Sequence, residues 1–198
     1  VLVAYSPAAV INKAMEEKIM YKVMWPVMKG LRSEGIKFKG ILYAGLMIKD
    51  DNPYVLEFNC RLGDPETQPV LSRLDTDLVE IAFGILDEKL SDIEIRWKPE
   101  VAVCVVLASK GYPGTYEKGK VITGLDNIRG EDDTFVFHAG TVFNDNKVVT
   151  SGGRVLGVTA LGNDIREAKE KAYRAIDKIH FDGMHYRKDI ADRALKRQ

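Results

Sequence analysis

Between Val55 and Gln68 the chain gathers side chains able to hold a metal ion and an anion together: Glu57, Asn59, Arg61, Asp64 and Glu66. Tyr54–Cys60 alternates, and along a β-strand residues two apart share a face. Glu57, Asn59 and, if the strand persists, Arg61 then project to one side, while Leu56, Phe58 and Cys60 point to the other, into a core. A carboxylate beside a neutral amide oxygen suits a hard cation such as Mg²⁺, which takes oxygen ligands and completes its shell with water and phosphate. A guanidinium next in the row can grip an anion through paired hydrogen bonds. Acid, amide and guanidinium in that order would steady metal-bound phosphates while negative charge moves between oxygens. Alternation also describes the wet face of any half-exposed antiparallel strand, and on periodicity alone that plainer reading stands ahead.

Further candidates lie outside this strand. Asp64 and Glu66 follow a glycine turn and could receive an ammonium group or sugar hydroxyls, although Asp-Pro is also ordinary turn chemistry. Gly152-Gly153-Arg154 could offer backbone N–H groups and a guanidinium to a phosphate, or serve as a plain turn. Arg187 and Lys188 could reach the same phosphate, or form a solvated basic end. His138, His180 and His185 have no metal-ligand spacing with one another; His138 reads as a hydrogen-bonded strand residue. Cys60 and Cys104 each sit in an apolar run, as buried reduced thiols do.

The elements that must carry these residues are legible from punctuation and period. Asn12–Trp25 has helical spacing, Pro26 should end or kink that helix, and a second short helix runs to Gly35. Ile41–Ile48 and Tyr54–Cys60, joined by Asp50-Asp51-Asn52-Pro53, read as a β-hairpin with a slightly long loop. Asp77–Leu86 reads as a helix with Leu78, Ile81, Ala82 and Ile85 on one face. The polar stretch 87–100 marks a boundary, beyond which Val101–Ala108 has the continuous apolar character of a strand buried on both faces. Phe135–Phe143 and Lys147–Thr150 flank Asn144-Asp145-Asn146 as a further hairpin. A helix follows from about Ile165 to Ile179, capped by Asn163 or Asp164.

With 198 residues, 45% hydrophobic and 29% charged, the chain has the composition of a soluble globular protein of one large domain or two small ones. Its 29 basic residues balance its 29 acidic ones, which argues against nucleic acid or an anionic membrane as the main partner. No window approaches the roughly 18 apolar residues that span a bilayer, and no secretory signal is visible.

The stretch Glu57-Phe58-Asn59-Cys60-Arg61-Leu62-Gly63-Asp64-Pro65-Glu66-Thr67-Gln68 resembles the hallmark segment of the phosphoribosylamine–glycine ligases, also called glycinamide ribonucleotide synthetases. Ala4-Tyr5-Ser6-Pro7, Leu42–Met47, Gly111-Tyr112-Pro113-Gly114, His138–Thr141, Ser151–Val155 and Arg187-Lys188-Asp189-Ile190 resemble the same family, so the likeness covers nearly the whole chain. Three departures stand out. Leu62 replaces the usual phenylalanine, Val1-Leu2-Val3 replaces a glycine-rich lead-in, and the family's upstream phosphate loop and nucleotide-binding lysine segment are not in these residues.

The resemblance implies an α+β fold: the C-terminal part of an ATP-grasp domain over residues 1–92, holding a metal and phosphate wall, then a small β-rich C-terminal domain over 100–198 that completes the substrate cleft. It implies ATP-dependent ligation of glycine to 5-phosphoribosylamine in purine synthesis, through a glycyl phosphate. Glu57 and Asn59 would bind Mg²⁺ or Mn²⁺, and Arg61 would stabilise charge on the transferring phosphoryl group. Met47 or Leu46 would lie against the adenine of ATP, or be plain core. Asp64, Glu66, Gly152, Gly153, Arg154 and Arg187 would contact substrate. The implied partners are small molecules and the missing N-terminal half of the same protein, in the cytoplasm, with this piece alone inactive. Another ATP-grasp carboxylate–amine ligase would share Glu57, Asn59 and Arg61 but should lack Gly63-Asp64-Pro65-Glu66. A non-catalytic interaction module is the reading from a different class.

Overall fold

The computed structural model describes residues 3–131 and 133–195, which form two compact units; the chain crosses between them after Pro7, Gly63, Arg73 and Trp97. The last crossing falls in the polar stretch 87–100 that the sequence marks as a boundary. The other three do not follow a division into 1–92 and 100–198. Residues 3–7 and 64–73 pack with the C-terminal unit, because a strand and a helix from the early chain complete its sheet and one of its faces. Val1, Leu2 and the end of the basic tail, 196–198, lie outside the described residues.

The C-terminal unit is built around β4 (Val101–Ser109) and its antiparallel partner β8 (Arg154–Gly162). The sheet order is β1 (Val3–Ser6), β4, β8, β5 (Thr134–His138), with β9 (Met184–His185) joining β4 beyond β1. Ala102–Ser109 and 155–162 are buried throughout. The reason is that helices cover both faces. A Cβ at Gly157 would touch Gln68 of α3 (Thr67–Ser72), and one at Gly162 would meet Ala168 of α5 (Ile165–Ile176). Positions 157 and 162 have opposite parity along β8, so the two helices lie on opposite faces.

Helix α5 begins where Asp164 caps Glu167 N–H at 2.9 Å and the Glu167 carboxylate accepts from Asn163 N–H at 2.8 Å. It buries Ile165, Ala168, Ala172, Ala175 and Ile176 and stops at Ile176, with Ile179 buried beyond its end. The expected hairpin around 144–146 forms between β6 (Thr141–Asn144) and β7 (Lys147–Thr150), while Phe135–His138 leaves it to pair with β8. Asp145 and Asn146, at φ 46 and 58, make the two-residue turn.

In the other unit the first helix does not stop at Pro26. It runs as α1 (Lys13–Ile19), widens to a π-turn over Met20–Met24, and resumes as α2 (Trp25–Ser33). Trp25 N–H donates to Met20 O, five residues back, and Pro26, lacking an N–H, takes an opening position of the resumed helix where none is needed. The hairpin consists of β2 (Tyr43–Lys49) and β3 (Asn52–Asn59). Its loop is shorter than the sequence suggests: Lys49 pairs with Asn52, and Asp50 and Asp51, at φ 49 and 54, form the turn.

Two expectations about burial fail here. Leu56 is 66% exposed and Phe58 39%, and Cys60 is exposed as well, so that face of β3 is not core. A two-stranded ribbon cannot cover both of its faces from within this unit. Helix α4 (Leu78–Leu86), capped by Asp77, likewise exposes Leu78 and Ala82 of its expected face, together with Val79, Phe83 and Leu86. It packs through Gly84, whose Cβ position lies 2.4 Å from Ile93 Cδ1, with Ile81 and Ile85 half-buried. Among the described residues no helix is long and apolar enough to cross a membrane.

Candidate functional site

The β2–β3 register determines which side chains share a face. Tyr43 pairs with Asn59, Gly45 with Glu57, Met47 with Tyr54 and Lys49 with Asn52. Glu57 and Asn59 do project together: the Asn59 side-chain N–H donates to Glu57 Oε1 at 3.1 Å. That bond orients the amide, so Asn59 Oδ1 is free of it to act as a donor to a cation, alongside Glu57 Oε2. Glu57 is exposed and Asn59 half-buried, so neither carries the cost of a sealed, unpaired polar group.

A bulge sits next to this pair. After Gly45–Glu57 the register slips to Leu46–Val55, leaving Leu56 as the extra residue. Strand β2 alternates undisturbed, so Met47 stands on the Glu57 side with Tyr54, and Leu46 on the other with Val55. Met47 and Tyr54 are each 54% exposed, two large side chains in the open on the face that carries the acid and the amide. Strict alternation from Glu57 puts Tyr54 on the opposite face, so counting along β3 misses it. The signal available was Gly45, since a glycine inside a strand marks a bulge or a close approach.

The strand ends at Asn59, so alternation does not set the direction of Arg61. Arg61 lies beyond β3, exposed, and donates from Nη1 to Leu62 O at 3.0 Å.

Asp64, Glu66, Gly152, Gly153, Arg154 and Arg187 all belong to the C-terminal unit. The fold brings two of them together across 90 residues of sequence: Arg154 Nη2 meets Asp64 Oδ2 at 3.0 Å, and Nη1 donates to Asp64 O at 3.3 Å. A ligand approaching Asp64 therefore meets a carboxylate already partly compensated by a guanidinium. Glu66 is the half-buried residue before α3 and makes no side-chain cap.

Gly152 has a structural use instead of an open amide. Its N–H donates to Gly140 O at 3.2 Å and its C=O accepts from Ser109 Oγ at 2.9 Å. A Cβ on Gly152 would stand 2.9 Å from Gly140 Cα, and one on Gly153 would strike the Tyr112 ring at 2.2 Å. Close packing, more than phosphate access, explains the glycine pair. Arg187 lies two residues past β9 and forms a fork with Asp189, Nε to Oδ1 at 2.8 Å. Ala108 pairs with Arg154 on one side and His185 on the other, so the Arg187 segment leaves the sheet at the end that carries Arg154. His138 is the hydrogen-bonded strand residue expected, with Nδ1 2.9 Å from Thr141 Oγ1.

Cys104 lies between β1 and β8 and is fully buried, which pushes its thiol up to about 11. It is chemically quiet. The donor set that fits a divalent cation is Glu57 and Asn59: two hard oxygens on an accessible face, with water or phosphate oxygens to complete the shell.

The hairpin bearing Glu57 and Asn59 lies within residues that match an ATP-grasp domain, and the chain has the α+β fold of that class. The biotin carboxylase domain of a thermophilic 2-oxoglutarate carboxylase, solved with bicarbonate, shares that fold at a TM-score of 0.65 and 15% identity, over 96% of this chain and 44% of its own. Residues 2–67 match the family model described as phosphoribosylglycinamide synthetase, ATP-grasp (A) domain, and 102–193 match phosphoribosylglycinamide synthetase, C domain. The chain belongs to the phosphoribosylamine–glycine ligase family and corresponds to its C-terminal part. The ligase of Vibrio parahaemolyticus is 48% identical over 196 residues, 98% of this chain and 46% of the relative. That of Caldanaerobacter subterraneus is 52% identical over 186 residues, 94% of this chain and 44% of the relative. The crystal structure of the Thermotoga maritima ligase superposes at a TM-score of 0.81 with 36% identity, covering 96% of this chain and 46% of that one. The chain thus spans a little under half the length of the relatives it matches.

Proposed function

We propose that, as part of a full-length ligase, these residues serve the ATP-dependent joining of glycine to 5-phosphoribosylamine, yielding glycinamide ribonucleotide, ADP and phosphate. The observation that carries this reading is the Glu57–Asn59 pair, hydrogen-bonded to each other on an accessible strand face in a chain of this family. Glu57 and Asn59 would hold Mg²⁺ or Mn²⁺ through their side-chain oxygens. When bound, that ion neutralises phosphate charge at the site of transfer. The γ-phosphoryl of ATP passes to a glycine carboxylate oxygen, giving glycyl phosphate. The amine of phosphoribosylamine then attacks the carbonyl carbon, phosphate leaves, and the amine loses a proton.

Arg61 donates to the oxygens of the phosphoryl group in transit; the exposure of its guanidinium supports that role. Met47 offers an apolar surface to adenine from the Glu57 face, which favours it over Leu46. Asp64 and Glu66 receive the substrate amine, and Arg154 and Arg187 the ribose phosphate, with Gly152 and Gly153 shaping the turn behind Arg154. In this division of labour residues 8–63 supply the metal and phosphate wall, and 64–73 with the residues from 98 onward complete substrate recognition. The rest of the nucleotide clamp comes from the other half of a family-length protein, so the 198 residues alone bind Mg-ATP weakly or not at all. The compartment is the cytoplasm, and neither nucleic acid nor membrane is a partner.

The test is phosphate release by the chain expressed with its natural upstream sequence. Release should require both glycine and phosphoribosylamine, and Glu57→Gln should abolish it. Turnover unchanged by Glu57→Gln removes the metal assignment, and release without either substrate removes the ligase reading.

A further inference from the structure

We propose that Gly45 is a positioning residue for Glu57: by lacking a side chain it leaves the space in which the Glu57 arm lies, and so aims the carboxylate toward Asn59. The inference rests on the reading of Glu57 and Asn59 as metal ligands. Gly45 and Glu57 are directly opposed in the hairpin. A Cβ at Gly45 would stand 3.0 Å from Glu57 Cγ, 3.6 Å from Glu57 O and 3.7 Å from Tyr43 Cε1. The carbonyl belongs to the strand backbone and Tyr43 is half-buried, so the arm of Glu57 is the part that must give.

The backbone offers no competing reason for glycine, because Gly45 is not among the residues at positive φ and alanine can adopt its conformation. The neighbouring register slip points the same way, since a bulge re-aims the side chains beside it. A second effect follows from the hydrogen bond: moving the Glu57 arm by a few tenths of an ångström disturbs the 3.1 Å contact that orients Asn59, so one methyl group perturbs both ligands.

The experiment uses Gly45→Ala in the chain expressed with its natural upstream sequence, with Mn²⁺ titrated in the presence of ATP by electron paramagnetic resonance. Affinity should fall roughly tenfold, the lower end of what outer partners of metal ligands contribute. The Asn59 side-chain amide signals should shift in the NMR spectrum while signals from the C-terminal unit stay in place. Gly30→Ala, whose Cβ meets nothing within 4 Å, should alter neither. Wild-type Mn²⁺ affinity in Gly45→Ala, with affinity lost in Glu57→Gln, overturns the inference and leaves the metal reading intact. Mn²⁺ binding unaffected by Glu57→Gln overturns the metal reading; the steric claim is then decided by a thermal cycle. Gly45→Ala should lower Tm when Glu57 is present and not in a Glu57→Ala background; equal loss in both refutes it.

Discussion

Replacing Arg73 by alanine removes three hydrogen bonds at once. Its guanidinium donates from Nε to Glu100 O at 2.6 Å, from Nη1 to Ser6 Oγ at 2.9 Å and from Nη2 to Lys98 O at 3.2 Å, so one side chain ties together three separate stretches of the C-terminal unit. Bonds from a charged donor are worth about 1.5–3 kcal/mol each, which makes the gross loss at least ~4.5 kcal/mol. Part returns. Burial holds the Arg73 pKa below the ordinary arginine value, a sign that the folded state carries some desolvation cost, and the part-buried acceptors can turn to water. A net loss of about 3 kcal/mol remains, equivalent to a fall of roughly 6–12 °C in Tm for a protein of this size. Urea unfolding followed by circular dichroism, with hydrogen exchange at β1 and at 98–100, measures it. Arg73→Lys should recover only about a third, because an ammonium cannot reproduce the planar fork. A loss below about 1 kcal/mol in Arg73→Ala, or full stability in Arg73→Lys, refutes the staple.

Thiol reagents at pH 8 should label the folded chain once, at the exposed Cys60, with Cys104 reacting only after unfolding; Cys60→Ser should then give no labelling of the native protein. Because burial raises the Cys104 thiol to about 11 in the folded state, its contribution is intact below the unfolded value near 9 and is lost as pH rises between the two; Cys104→Ala should flatten unfolding curves over that window. Glu88 has the opposite sign: hydrogen bonds from Lys37 and Lys39 depress it to about 2, so its stabilisation is present above about pH 4.5 and lost on acidification, and Glu88→Gln should remove that slope from an acid titration. Gly153→Ala drives a methyl into the Tyr112 ring and should cost roughly 1–3 kcal/mol of unfolding free energy, relieved in a Tyr112→Ala background. Asp51→Gly frees a residue held at φ 54 and should raise Tm, by up to about 1 kcal/mol of stability.

Much of the molecule is legible from local order. The continuous apolar run at 101–108 is a strand buried on both faces, the Ile165–Ile176 helix starts at its Asp cap, and Glu57 and Asn59 share a face two residues apart. Each depends on a period or a cap read within one element. Burial of Leu56, Phe58 and Cys60 is a different kind of claim. Alternation says that those residues face away from Glu57, but whether anything covers them depends on distant chain, and here nothing described does. The helix at 78–86 fails in the same way, since an apolar side chain identifies a face suited to burial and not the partner that buries it.

The sequence by itself determined the chemistry on offer, because the types and spacing of Glu57, Asn59 and the residues after them are local facts and the family likeness is carried by them. Only the tertiary structure decided three further matters: that Met47 and Tyr54 join the Glu57 face, that Arg154 is engaged by Asp64, and that residues 3–7 and 64–73 belong with the C-terminal unit. The physical reason is common to all three. A bulge, a long-range ion pair and an added strand are settled by free energy summed over segments far apart in the chain, and no window of neighbouring residues contains the terms of that sum.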